Sequence, residues 1–305
     1  MSSFFDNHLG VQLCKDRIRL VEVIYKEDDL YLENVGEQQF EKPIEKFSDL
    51  ADVLQNTYNE VLEKKLFTSK FVSFTFPPSF FKVFEFPFDN TLLKNDLKDH
   101  LNWELKKLYP YESDSEYLIQ NIKYENGLKN RNSYMGVIAL PKSLITSVVK
   151  FSKANKLSIK YIDHPQTAAN VFLKLAVEDF KSLTGISIFA GNNCLTVMLI
   201  SAGMPVYIKQ LEYDTKDEID IKLKKIFDNL SGYDVDLSSM DYTYISGESV
   251  TPEMAGNLSD AFGLQIKIMD PFEKIKINPD FEEFYEYKQN ASAFAAPAGL
   301  ALRLM

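Results

Sequence analysis

The stretch Leu9–Val23, LGVQLCKDRIRLVEV, consists of two apolar runs joined by the short turn Cys14-Lys15-Asp16. Apolar runs on either side of a few turn-forming residues are the sequence form of a tight antiparallel hairpin. The form returns at Gly185–Leu199, GISIFAGNNCLTVML, where Gly191-Asn192-Asn193 supplies the turn. Each hairpin runs on into a further strand, Leu30–Phe40 in the first case and Met204–Leu211 in the second. The chain therefore opens a β-meander twice, about 175 residues apart. A repeated meander followed by helices predicts two lobes built to one plan.

The segments between the meanders extend that plan. Apolar residues at helical spacing cover Ile44–Leu66 (Phe47, Leu50, Val53, Leu54, Tyr58, Val61, Leu62), with Ser48 placed to cap the helix, and Phe71–Phe76 reads as a strand. Pro77-Pro78 breaks the pattern. Then come a strand over Phe80–Phe88, an amphipathic helix over Thr91–Leu108, and strands over Leu118–Tyr124 and Tyr134–Leu140. Strand, helix, strand, strand is enough for a small α+β subdomain inserted into the first lobe. Helices follow over Pro141–Lys156 and Thr167–Phe180, with a short strand at Ile159–Asp163 between them. After the second meander the expected order is a helix over Thr215–Leu230, a strand at Tyr242–Ser246, a helix over Thr251–Phe262 capped by Gly263, and a strand at Gln265–Met269. Asp270–Phe284 reads as loop or short turns, and Gln289–Leu304 as an Ala-rich helix that Pro297 starts or kinks. The expected organisation is residues 1–78 and 141–182 for the first lobe, 79–140 for the insertion, 183–286 for the second lobe, and 287–305 for a helix packing back on the first lobe.

Composition narrows the function classes. The chain has 305 residues, 45% apolar and 26% charged, as expected of a soluble globular protein with ample core. Its 44 acidic and 34 basic residues leave a formal charge of -10, which repels a polyanion and argues against nucleic acid as partner. Lys94–Lys107 and Lys222–Lys225 alternate with acids or apolar residues at helical spacing, the pattern of solvated helix faces. The two cysteines, Cys14 and Cys194, have neither zinc nor disulfide spacing; they fit a reducing compartment and read as small buried apolar residues. MSSFFDNHLG has no signal-peptide form, and no run approaches the ~20 apolar residues of a membrane span. The expected location is the cytoplasm, with any membrane association made through a partner.

Three further segments carry a family resemblance. Val83–Tyr111 (VFEFPFDNTLLKNDLKDHLNWELKKLYPY) places Phe86-Pro87, Trp103-Glu104 and Leu108-Tyr109-Pro110 along a strand and helix; Tyr242–Phe272 (YTYISGESVTPEMAGNLSDAFGLQIKIMDPF) runs from a strand through a Gly247-Glu248 turn and a helix to Asp-Pro-Phe; and the chain closes on AAPAGLALRLM. In this order and at these separations they resemble the PilM family, the actin-like cytoplasmic proteins of type IV pilus assembly. The resemblance implies an α/β, actin-like (ribonuclease H-like) two-lobed fold with a small inserted α+β subdomain. It also implies ATP in the cleft between lobes, held by two loops reading roughly apolar-Asp-apolar-Gly, and a partner, the N-terminal cytoplasmic tail of the single-pass membrane protein PilN, received between the first lobe and the insertion.

The departures from that pattern concentrate at the nucleotide. Gln12 and Phe189 stand where the two aspartates belong, Cys14 replaces the first glycine, and only Gly191, followed by Asn192, is kept. Magnesium wants oxygen ligands and charge neutralisation, of which Gln12 offers one neutral oxygen and Phe189 none. The family's Gly-Gly turn is Gly247-Glu248 here, which puts a carboxylate where it would repel phosphate or crowd the sugar. Such losses cost several kcal/mol of binding or transition-state stabilisation. The expectation is a pseudo-ATPase with no catalytic residue and no required cofactor, ATP and magnesium being disfavoured. The rival is an active actin-like ATPase or kinase with divergent loops that uses Asp16, Lys15 or Arg17 and backbone amides; a charged turn that is merely solvated is the plainer reading of those residues. A filament former related to FtsA is a third reading, and the ending at Met305 directly after Leu-Arg-Leu, without an amphipathic membrane helix, counts against it.

Other chemistry finds no support. His8, His100 and His164 share no helix with a carboxylate at ligand spacing, so no metal site is expected, and neither a Gly-x-Ser-x-Gly elbow nor a phosphate-loop lysine motif occurs. In the aromatic run Phe80–Phe88 the even-numbered residues share one face, expected to pack on the Trp103 helix, while Phe81 and Val83 take the other. With Trp103 and Tyr109 they form a candidate peptide groove, an extended peptide also needing a strand edge; burial of the whole run in a core is the equal alternative. The resulting expectation is a PilM-like scaffold of a pilus or related secretion machine, peripheral at the inner membrane, binding a PilN-like tail and linking it to other components of the machine.

Overall fold

The computed structural model describes residues 7–41, 43–44, 50–64, 67–88, 91–110, 116–124, 134–215, 218–233, 235–278, 281 and 284–303, with backbone alone at 62–64. Strand β1 (Asn7–Leu13) pairs antiparallel with β2 (Arg17–Lys26), and β2 pairs antiparallel with β3 (Asp29–Gln39). Helix α1 (Leu50–Lys64) leads to β4 (Phe71–Thr75), which lies parallel to β1. The cap expected at Ser48 and the contact of Phe47 lie outside the described residues.

The chain then leaves the lobe. A single 3-10 turn at Pro78–Phe80 leads to β5 (Lys82–Pro87), helix α2 (Lys94–Leu108), β6 (Tyr117–Lys123) and β7 (Tyr134–Pro141). These strands form a sheet of order β5-β7-β6. Helix α3 (Lys142–Ala154) and β8 (Ser158–Asp163), parallel to β4, return to the first lobe. The helix expected over Thr167–Phe180 starts earlier and breaks up: α4 (Pro165–Ala169), a 3-10 turn, then α5 (Leu173–Ala176). Pro165 at the first helical position and a hydrogen bond from Gln166 N to His164 Nδ1 fix its start.

The second lobe repeats the first. Strands β9 (Thr184–Ala190), β10 (Cys194–Ser201) and β11 (Met204–Glu212) form the meander; after helix α6 (Ile219–Ser231), β12 (Tyr242–Ser246) joins parallel to β9. Helix α7 (Pro252–Phe262) is capped by Thr251 and ends at Gly263 (φ 64°), and β13 (Ile266–Ile268) completes the sheet. Its order, β11-β10-β9-β12-β13, matches β3-β2-β1-β4-β8 of the first lobe strand for strand. Within Asp270–Phe284, read as loop, Lys276–Ile277 forms a two-residue strand, β14, on the edge of β3. A segment expected with the second lobe thus extends the first-lobe sheet. Helix α8 (Phe284–Lys288), a 3-10 turn at Ala291–Phe294 and α9 (Ala295–Leu302) follow.

Strand alternation decides what faces the interlobe space. Leu9, Val11 and Leu13 turn to the outer core with α1 and α3, whereas His8, Gly10 and Gln12 turn inward. Likewise Ile186, Ile188 and Ala190 face the α6–α7 core, and Ser187 and Phe189 face inward. Between the sheets lie α4 and α9, which is buried at every position from Ala295 to Leu302. That all-round burial explains the Ala-rich composition: only small side chains let a helix pack on α4 and on the first-lobe sheet together.

Candidate functional site: the interlobe cleft and the inserted subdomain

Cross-strand register builds a polar row on the inner face of the first lobe. Thr75 of β4 lies beside Gln12 of β1, Gln12 beside Arg19 of β2, and Arg19 beside Glu37 of β3. Arg19, with 4% of its side chain exposed, pairs through Nε with Glu37 at 2.5 Å and through Nη1 with Glu248 at 3.1 Å. Burial works against its charge, and the two carboxylates outweigh that penalty. The other oxygen of Glu248 accepts from the backbone N–H of Asn192 at 3.0 Å. Arg19 Nη1 also lies 3.4 Å from Cys14 Sγ, and burial pushes that thiol up, so it stays protonated and inert.

One carboxylate thus ties the second strand of the first hairpin to the turn of the second. Sequence reasoning expected Glu248 to repel a phosphate or crowd a sugar; in the structure it sits on these donors itself. It reaches them because Gly247 holds φ 116°, and a Cβ there would meet Ala190 O at 2.4 Å. Tyr213 Oη and Ser249 Oγ both donate to Gly191 O, which pins the second turn.

The remaining cleft positions are occupied by side chains. Phe189 is fully buried in the core shared with the first lobe. A Cβ on Gly191 would sit 3.2 Å from the Pro78 ring, so the first lobe closes directly on the turn. Gln12 is 1% exposed, and its Oε1 has no hydrogen-bond partner among the described residues. Asp16 does not point inward: both its oxygens accept from Arg17, at 3.2 and 3.0 Å, and that bond holds its carboxyl below the usual range. Lys15 is exposed. Among the described residues no three His, Cys, Asp or Glu side chains converge on a metal position. These residues do not fit a magnesium nucleotide: the anion position holds Glu248 and the second aspartate position holds a phenyl ring.

Sequence reasoning missed Arg19 and Glu37. The available signal was an arginine and a glutamate directly opposite one another in a hairpin register, on the face shared with Gln12.

In the subdomain, Phe86 packs with Leu97, Leu101, Met135 and Val137, flanked by Phe84 and Phe88, so these three face α2, whereas Phe80, in the 3-10 turn before β5, packs on the main core. The four groove residues do not share a surface. Phe81 (3% exposed) and Val83 (9%) are core, because β5 lies against β11: Gln210 Nε2 donates to Phe81 O at 3.1 Å, and the Phe81 ring packs on His164. Trp103 is 56% exposed beside His100 and Lys107, since the buried face of α2 is Leu97, Leu101 and Leu105. Tyr109 is half-buried under Lys82 Nζ, 4.8 Å from its ring centroid. The exposed part of the candidate groove is therefore the α2 surface at Trp103 and Tyr109.

No protein-family model and no curated protein matches the chain. The duplicated five-strand order with helices between and outside the sheets defines an actin-like ATPase fold, here carrying an inserted α+β subdomain. Among solved structures the chain is similar to the PilM–PilN type IV pilus biogenesis complex, with TM-score 0.70 and 15% identity over 99% of both chains. It is also similar to a Bacteroides thetaiotaomicron protein with an actin-like ATPase fold and unknown function (TM-score 0.52, 14% identity, 89% of this chain and 95% of that one). A third is the ethanolamine utilization protein EutJ of Carboxydothermus hydrogenoformans (TM-score 0.52, 10% identity, 97% and 89%). No helix among the described residues is long and apolar enough to cross a membrane.

Proposed function

We propose that this chain is a non-catalytic, PilM-like adaptor of a type IV pilus or related secretion machine. It binds the cytoplasmic tail of a PilN-like inner-membrane protein and through it sits at the cytoplasmic face of the membrane. The observation that carries the reading is the combination of PilM's fold, insertion included, with a cleft closed by Arg19, Glu248 and Phe189. In an actin-like ATPase the bound nucleotide bridges the two hairpins; here a carboxylate of the chain does so. The cleft is then a structural joint, and the working surface lies on the subdomain.

Trp103 is the chain's single tryptophan, so its fluorescence reports directly on that surface. Titration with a synthetic peptide of the PilN-like tail is expected to shift and saturate the Trp103 emission, while millimolar ATP with magnesium leaves the melting temperature unchanged. Magnesium-dependent stabilisation by ATP would overturn the pseudo-ATPase half of the proposal, and a peptide that leaves both emission and melting temperature unmoved would overturn the adaptor half.

A further inference from the structure

At the end of the interlobe space remote from the two hairpin turns lies a cavity of about 490 Å³, between the β2–β3 turn and the β10–β11 turn. Its size is that of a small-molecule site. Both lobes wall it: Leu30 comes from the first, Phe180 from the segment leading into β9, Met198, Ile200 and Pro205 from the second, and Leu302 from α9. Such a lining favours an aliphatic or aromatic body.

The underused polar groups lie on one wall. Thr167, Asn170 and Lys174 line the cavity from successive turns of the α4–α5 segment. Thr167 Oγ1 is buried without a hydrogen-bond partner among the described residues. Asn170 Oδ1 is taken by Gln166 Nε2 (2.9 Å) and Ser187 Oγ (2.5 Å), which turns its Nδ2 toward the Met198 sulfur at 3.2 Å, a weak acceptor. Lys174 makes no ion pair with a described residue. The charged groups opposite are already engaged: Asp28 accepts from Tyr25 Oη at 3.0 Å, and Arg303 pairs with Asp163. Thr167 Oγ1 is closed off from the cavity, so two underused donors, Asn170 Nδ2 and the cationic Lys174 Nζ, face the apolar enclosure. An anionic oxygen is the acceptor that answers both.

We infer that this cavity is a binding site for an aliphatic monocarboxylate of the fatty-acid class, its carboxylate on Asn170 and Lys174 and its chain against Phe180, Ile200 and Leu302. A chain of roughly a dozen carbons suits the volume. Ligand in this place touches both lobes, at the end of the joint that Arg19 and Glu248 leave open.

Calorimetric titration of the full chain with octanoate, decanoate and dodecanoate, each below its micellar concentration, tests the assignment. One-to-one binding is expected, tightening about fourfold per methylene while the chain stays enclosed. Lys174→Glu is an exposed-rim change that leaves the fold intact; it is expected to weaken dodecanoate by about tenfold and to spare dodecylammonium. Val171→Trp, which fills the cavity, is expected to abolish binding of both. Absence of saturable dodecanoate binding, equal affinity for dodecylammonium in the wild type, or indifference to Lys174→Glu would each overturn the inference.

Discussion

Arg19 of β2 and Glu248, just after β12, form an ion pair across the interlobe cleft, Nη1 to Oε2 3.1 Å, with 4% and 8% of their side chains exposed. Removing one partner of a buried pair leaves the other charge without compensation, at a cost of about 3–5 kcal/mol. Glu37 still contacts Arg19 in Glu248→Ala, so the cost there is expected at the lower end, roughly 3 kcal/mol. The double variant Arg19→Met/Glu248→Leu is expected to lose less than either single change. Urea unfolding of the wild type, Arg19→Met, Glu248→Leu and the double variant measures the coupling, and strictly additive losses would show that the pair does not act as a unit.

Phe189→Asp restores the residue type that a nucleotide-binding actin-like loop uses at this position. Here the site is fully buried among first-lobe core residues, so the substitution places a charge in a phenyl-sized apolar space. A loss of at least 4 kcal/mol is expected, against little change for Phe189→Leu. A soluble Phe189→Asp protein that melts with the wild type and gains ATP-dependent stabilisation would mean that the cleft is still a working nucleotide site.

Much of this architecture was legible in the sequence, for physical reasons. The hairpins at Leu9–Val23 and Gly185–Leu199 are specified by alternation and turn residues close together in the chain, and they appear as β1–β2 and β9–β10. The inserted subdomain was legible because Pro77-Pro78 interrupts the pattern ahead of it. The separation of the four candidate groove residues was not: Leu97, Leu101 and Leu105 fill the face of α2 that meets the sheet, which leaves Trp103 outside. Nor was the burial of Phe81, which depends on β5 lying against β11, about 125 residues later. The Arg19–Glu248 pair spans a longer interval still, and a local pattern carries no trace of its partner.

That difference in burial gives opposite expectations for two aromatic residues once read as one groove. Phe81→Ala should cost about 3–5 kcal/mol, as for a large buried aromatic residue. Trp103→Ala should stay within about 0.5 kcal/mol of the wild type, as a surface change does. Thermal melts distinguish them, and a stable Phe81→Ala protein that has lost only partner binding would restore Phe81 to an accessible groove.

Two buried histidines set the response to acid. His164 accepts from Gln166 N at Nδ1, so its proton is on Nε2, donated to Gln210 Oε1 at 3.0 Å. His8 donates from Nδ1 to Ala301 O and accepts from Ser73 Oγ at Nε2. Burial lowers both to about 4 from an ordinary 6.5, the Gln210 and Ala301 contacts opposing it only in part. The folded pKa values lie below the unfolded ones, so between pH 6.5 and 4 the unfolded chain binds protons that the folded chain does not. The stability from each neutral imidazole is therefore complete above the unfolded value and lost as pH falls toward the folded one, roughly 3 kcal/mol per histidine. Urea midpoints are expected to drop steeply over that window, and His164→Gln is expected to flatten the drop. An unchanged slope in His164→Gln would remove His164 from the account.

The closing motif Ala-Gly-Leu-Ala-Leu-Arg has a steric meaning. A Cβ on Gly299 of α9 would lie 1.9 Å from Ala168 O of α4, and a Cβ on Gly10 of β1 would lie 1.9 Å from Pro297 O of α9. Both obstacles are backbone atoms, which yield only if whole elements move apart. Helix α9 therefore touches strand and helix main chain directly on two sides, and the glycines set its depth between the lobes. Gly10→Ala and Gly299→Ala are each expected to cost at least 3 kcal/mol, more than overpacking by one methyl usually does, because no side chain can rotate away. At Gly256 a Cβ meets nothing within 4 Å, so Gly256→Ala is the control and is expected to gain up to about 1 kcal/mol from helix propensity. Equal melting temperatures for Gly299→Ala and Gly256→Ala would show that α9 does not sit at this depth.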